Sequence, residues 1–261
     1  MDPAPHLPSS SLTPEEESIY AWQLDVPGLG EEGQSRLKSA TVLVSRVGGL
    51  GGAAAWSLAA AGVGKLILAH AGSIKPSDLN RQTLMTQAGL GRSRVESAAE
   101  RLRAFNPRLD IEAIPENISP DNVESLAQRA DVIIDAAPLF SERYALNKAC
   151  VHLGKPMIEC AVHELELHLT TIIPGRTPCL RCLYPQPNPH WTRRFPVLGA
   201  VSATAGSLAA MEAIKVLTGL GRPLAGKLLV GDLRGMSWKS LRIHRVAGCA
   251  DCGNLGKLGG A

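Results

Sequence analysis

Two C-x-x-C pairs, Cys179/Cys182 and Cys249/Cys252, constrain this chain more than any other feature. Thiolates at i and i+3 fit on one tight turn and grip one metal ion. Two such knuckles complete a closed tetrahedral S4 site, which suits Zn²⁺ and leaves no open position for chemistry. The pattern therefore reads as a structural clamp. Four unrelated thiols are the plainer alternative. A redox dithiol fits less well, because neither pair is expected at the start of a helix following a βαβ strand. Cys150 and Cys160, in an expected helix and an expected buried strand, read as core.

The 261 residues are 45% hydrophobic and 20% charged, enough for one large domain or two small ones. Aromatics make up only 4%, so the core must be aliphatic. A net charge of +3 is too small to argue for nucleic acid or an acidic membrane as partner. The start is polar and Pro-rich, and no apolar run reads as long enough to span a bilayer. A cytoplasmic chain is expected, with reduced thiols and a metal rather than disulfides at the C-x-x-C pairs.

Along the chain, residues 1–12 read as a disordered tail and 254–261 as a flexible one. Thr13 is expected to cap a helix, with Pro14 first and Glu16 closing a capping box. A short helix at 31–38 leads to a strand at 41–45. The turn Gly48-Gly49-Leu50-Gly51 follows, then a helix at 52–61 stopped by Gly62. Further strands fall at 65–69, 110–113, 131–135 and 156–160. Helices fall at 94–105, after a Ser119-Pro120-Asp121 cap to 128, and at 141–153. These strands are apolar without alternation, which means a parallel sheet covered on both faces. After residue 162 the pattern changes. Residues 165–173 alternate as an antiparallel strand, a helix runs over 202–217, and 227–232 with 236–243 form a hairpin.

Several stretches in this order carry a resemblance. They are Gly30–Gln34, the glycine turn, Ala60–Gly64, Leu79-Asn80-Arg81-Gln82, Glu96-Ser97-Ala98, Arg143-Tyr144 with Asn147, and Gly206–Lys215. Together with the paired knuckles they resemble the E1-like superfamily of ThiF and MoeB, adenylyltransferases that activate ubiquitin-like sulfur carriers. The resemblance covers about 23–253. It implies an α/β Rossmann-like fold in a single domain over 13–253: a Rossmann-like half to 160, then an antiparallel, zinc-knuckle half. It also implies a dimer, one structural zinc at the four cysteines, and ATP with Mg²⁺ in members that adenylate a carrier's C-terminal carboxylate.

The family's site residues map unevenly onto this chain. Gly48, Gly49, Gly51, His70, Asn80, Arg81 and Arg94 occupy nucleotide-binding positions, and Arg81, Arg94 and Asp135 are the catalytic candidates. Arg46 stands at the family's first glycine, where a tight backbone turn approaches phosphate. The turn then reads either as structural packing or, through Arg46, as a contact for another anion. His70 replaces the ribose-binding acid, Gly72 a second acid, and Pro138 the Mg²⁺-liganding aspartate. Trp22 replaces an arginine reached across from a partner subunit. No cysteine lies between Cys182 and Cys249 to serve as a nucleophile, and Thr192 is a poor substitute. The reading is an E1-like protein impaired in adenylation, which binds an active homologue, a carrier or a peptide. The alternative is an active adenylyltransferase in which arginines carry the phosphate charge. A third possibility is a Rossmann-like protein binding a different anion or nucleotide without transfer.

Overall fold

The computed structural model describes residues 11–187, 189 and 191–255. Helix α1 (Pro14–Leu24) opens with the expected capping box: Glu16 N–H donates to Thr13 Oγ1, and the Glu16 carboxylate accepts from Thr13 N–H. Next come α2 (Gly30–Ser39), β1 (Thr41–Val44), α3 (Gly49–Ala61), β2 (Lys65–Ala69), α4 (Arg94–Phe105) and β3 (Asp110–Ile114). They are followed by α5 (Val123–Gln128), β4 (Val132–Asp135), α6 (Phe140–Leu153), β5 (Met157–His163) and β6 (Glu166–Ile172). The short α7 (Leu180–Leu183), the long α8 (Gly199–Thr218), β7 (Lys227–Asp232) and β8 (Ser237–Arg242) complete the chain.

All eight strands form one sheet, in the order β3-β2-β1-β4-β5-β6-β7-β8. Neighbours from β3 to β5 are parallel, and those from β5 to β8 are antiparallel. The change of sense falls at the turn between β5 and β6, residues 164–165, close to where the alternation of 165–173 begins. Successive strand side chains point to opposite faces, so β1 sends Val42 and Val44 to one apolar layer and Leu43 to the other. The first layer lies under α3, α4 and α8. The second lies under α5 and α6 and runs on to the cysteine cluster. A strand buried on both faces has no polar side, which is why these runs do not alternate.

The structure departs from the sequence reading at several points. Helix α3 starts at Gly49, not at residue 52, so the glycine turn is itself the first helical turn. Helix α5 starts at Val123, and Ser119 does not cap it: the Ser119 N–H instead donates to Asn122 Oδ1. Cys179 is the N-cap of the four-residue α7, which follows the antiparallel β6 and not a βαβ strand, in line with the sequence reading. Helix α8 is, by length and composition, apolar enough to cross a bilayer, and no such run was expected; 56% of that stretch is buried inside the domain. Its contact with α3 depends on Gly206, where a Cβ would lie 2.2 Å from the Leu50 carbonyl oxygen. Most of both expected tails, 1–10 and 256–261, lies outside the described residues.

Candidate functional site

In a parallel sheet, a ligand crevice opens where the strand order reverses. Here that point lies between β1 and β4. A cleft of about 140 Å³ opens there, with Gly48 and Gly49 on its floor and His70, Arg81, Gln82 and Pro138 among its walls. Gly51 does not line it. A Cβ on Gly51 would meet the Arg46 carbonyl oxygen at 1.7 Å, so this glycine lets α3 close on the loop after β1. Gly48 has ordinary space: its nearest neighbours would be Gln82 and His70 at 3.9 Å.

Arg46 is not strained, since the only non-glycine residues with positive φ are Glu164 and Met236 among those described. Its side chain is buried and held at two points by Glu142: Nε to Oε2 at 2.8 Å and Nη2 to Oε1 at 2.5 Å. Nothing in the sequence marked Glu142, although a buried arginine requires some such counter-charge. Arg46 therefore borders the cleft with its charge already matched.

His70 is buried on the cleft wall. Burial, reinforced by the charges of Arg46 and Arg94, lowers its pKa to about 3, so the ring is neutral. Its Nδ1 has no partner. Arg94 does not reach the cleft. It donates through Nε (2.9 Å) and Nη2 (2.7 Å) to Asp78 Oδ2. A Cβ on Gly72, which has φ +83°, would press to 2.9 Å from Arg94 Nη1. Burial works against the Asp78 carboxylate, but the Lys75 backbone N–H and Arg94 outweigh it and hold its pKa low. Asp78 Oδ1 accepts from Gln82 Nε2 at 2.9 Å. Asn80 is exposed and bonds to Arg81 Nη1 at 3.0 Å, while Arg81 lines the cleft.

Asp135 is fully buried beneath the cleft. It accepts from Ala137 N–H and from Arg143 Nε at 3.0 Å. Arg143 Nη2 also donates to Glu159 Oε1 at 2.8 Å, so one guanidinium serves two buried carboxylates. Burial pushes the Glu159 carboxyl up to about 7, against the pull of Arg143. Pro138 stands at the rim with its carbonyl oxygen taken by Trp191 Nε1 at 2.7 Å. Trp191 packs with Phe140 and Phe195, and with Arg143 it also lines a neighbouring cavity of about 340 Å³ that reaches Tyr184 and His168. Thr192 is exposed and donates to the Arg194 carbonyl. Cys150 is in the core. Cys160 edges the cleft but is buried, donates to the Ala205 carbonyl, and has its thiol pushed well up by burial.

The four knuckle cysteines meet. Their Sγ atoms all lie within 4.8 Å of one another, with pairs at 4.0 Å (Cys179–Cys182), 3.7 Å (Cys179–Cys249) and 3.5 Å (Cys182–Cys252). Sulfurs about 2.3 Å from a tetrahedral ion are about 3.8 Å apart, so this donor set fits Zn²⁺. The Val246 N–H donates to Cys182 Sγ at 3.4 Å. Burial raises the Cys249 thiol, but the backbone amides of Cys252 and Asp251 outweigh it and hold it below its usual value. Buried Asn147 ties the knuckles together. Its Oδ1 accepts from Leu180 N–H at 2.8 Å, and its Nδ2 donates to Asp251 at 2.6 Å.

A switch-point cleft and a separate four-cysteine cluster define an α/β protein of Rossmann-like type. The ThiF family model matches residues 20–251, and the chain belongs to the ThiF family. It is 51% identical over 245 residues to Protein HesA, heterocyst, of Trichormus variabilis, covering 94% of this chain and 91% of that one. It is 38% identical over 251 residues to the sulfur carrier protein adenylyltransferase of Thermus thermophilus, covering 93% of each. Among solved structures, E. coli MccB with succinimide shares the fold at TM-score 0.81 and 24% identity, covering 94% of this chain and 75% of that one.

Proposed function

We propose that this chain is a non-adenylating E1-like protein that binds a sulfur-carrier protein or peptide, or pairs with an active homologue, without transferring AMP. One observation carries the reading: no aspartate or glutamate lines the cleft among the described residues. A hard cation needs carboxylate oxygens. At the position resembling the family's metal ligand, Pro138 offers only a carbonyl that Trp191 already occupies. Without Mg²⁺, phosphoryl chemistry lacks its main charge stabilisation. The four cysteines hold a structural zinc in this reading. Trp22, 92% exposed on α1 with Ile19 and Val26 nearby, supports a homodimer or heterodimer contact. The compartment is the cytoplasm. Incubation with ATP, Mg²⁺ and candidate carriers tests the proposal: it expects no AMP formation and no pyrophosphate exchange, and robust turnover of either kind overturns it.

A second reading, an active adenylyltransferase using ATP and Mg²⁺, draws on the 38% identity to the Thermus adenylyltransferase and on Arg81, Arg143 and Arg193 around the cleft. Saturable calorimetric binding of ATP–Mg²⁺ together with turnover supports it. No binding at millimolar nucleotide excludes it.

A further inference from the structure

Two cleft groups are buried without hydrogen-bond partners: His70 Nδ1 and Gln82 Oε1. Leaving a buried polar group unpaired costs roughly 1–3 kcal/mol, so such a pair on a cleft wall points to a ligand. The orientation of Gln82 is fixed by chemistry. Asp78, held ionised, only accepts, so the Gln82 atom facing it must be the amide Nε2, and the acceptor Oε1 points the other way. Neutral His70 lines the same cleft and adds one donor or acceptor nitrogen, and both side chains approach Gly48, Gln82 through Cδ and Nε2 and His70 through Cε1.

The charges complete the picture. Arg46 is matched by Glu142, and Arg143 by Asp135 and Glu159. Arg81 lies 3.7 Å from an Asp78 already held by Arg94, and Arg193 has no ion-pair partner among the described residues. The cleft thus presents spare positive charge beside an unused acceptor. The cleft itself measures about 140 Å³, room for a ligand of a few carbons, and shares Arg143, Ala161, Val162 and Trp191 with the neighbouring cavity of about 340 Å³.

We infer that the cleft binds a small hydroxylated oxyanion, without a divalent cation: its anionic group meets Arg81 and Arg193, and its hydroxyl donates to Gln82 with His70 alongside. The ligand is a phosphate ester or a hydroxycarboxylate of a few carbons, not a nucleotide. This rests on the non-adenylating reading, and the two fail separately: turnover of ATP sinks that reading, whereas the binding experiment below decides this one.

The experiment is calorimetric titration of the full chain in a chelating buffer. The probes are paired: glycerol phosphate against methyl phosphate, and malate against succinate, with AMP as a further arm. The hydroxylated member of at least one pair is expected to bind at least about tenfold tighter than its hydroxyl-free partner, and the pair that discriminates identifies the class. His70→Phe and Gln82→Leu are expected to reduce that preference. Should a variant fail to fold, the wild-type comparison decides alone. Equal affinity within both pairs, AMP binding more tightly than every small probe, or no binding at millimolar concentration overturns the inference. So does a folded Gln82→Leu that keeps the full preference.

Discussion

Arg46 and Glu142 meet as a buried two-point ion pair that ties the loop after β1 to the first turn of α6. Truncating one partner of such a pair strands the other charge in the interior, typically at about 3–5 kcal/mol. Arg46→Gly, which restores the residue of the family pattern, is therefore expected to destabilise the protein by that order. Adding Glu142→Gln is expected to recover part of the loss. A double-mutant cycle by urea denaturation measures the coupling, and additive effects would falsify the pairing as an energetic unit.

Gly51 and Gly48 belong to one motif but have different neighbours. A Cβ at position 51 has no room against the Arg46 carbonyl, whereas one at position 48 meets ordinary contacts. Gly51→Ala is expected to cost at least about 1–3 kcal/mol, and Gly48→Ala well under that. Comparable denaturation midpoints for the two variants would contradict this packing role.

The knuckles are expected to carry one zinc per chain by elemental analysis. Cys182→Ser is expected to lose that metal and lower the thermal midpoint by more than about 10 °C, given the large apparent binding energy of closed thiolate sites. Full stability after complete metal removal by a chelator would count against a structural zinc.

Glu159 makes stability depend on pH. Its pKa is about 7 in the fold, against roughly 4.3 in an unfolded chain. Between these values the native state holds more protons, so stability falls as pH rises through that window. Asp78 has the opposite sign: its lowered pKa adds stability above the unfolded carboxylate value, which is lost as pH falls below it. Glu159→Gln is therefore expected to flatten the decline between about pH 5 and 7 while leaving the acid limb intact. Parallel denaturant midpoints for the two proteins across that range would refute the assignment.

The fold was largely legible because its strands are short aliphatic runs between glycine and proline stops, as at 41–44, 65–69 and 132–135. The family, too, could be read from motifs in order. The cleft was harder, because a local string does not say what a side chain faces. Asp135 and Arg94 look like free catalytic groups in sequence, yet Arg143 and Asp78 claim them in the fold. Glu142 and Trp191 had no signal of their own, since each matters through a partner 53 to 96 positions away, and Gln82 was marked only as part of a motif, not for the Asp78 bond that orients it. Helix α3 takes in glycines, weak helix formers, because Gly51 packs too closely against the loop after β1 to carry a Cβ.

Helix α6 carries Glu142 and Arg143 in its first turn, and Asn147 only one turn further on. The same helix thus holds Glu142 and Arg143 at the cleft end and the two cysteine knuckles through the Asn147 amide. Metal occupancy and cleft geometry are therefore expected to be linked. Loss of a bound ion is expected to loosen the grip on α6, and whatever binds above Gly48 is expected to register that loss as a change in affinity, with no atom of the ligand near a cysteine.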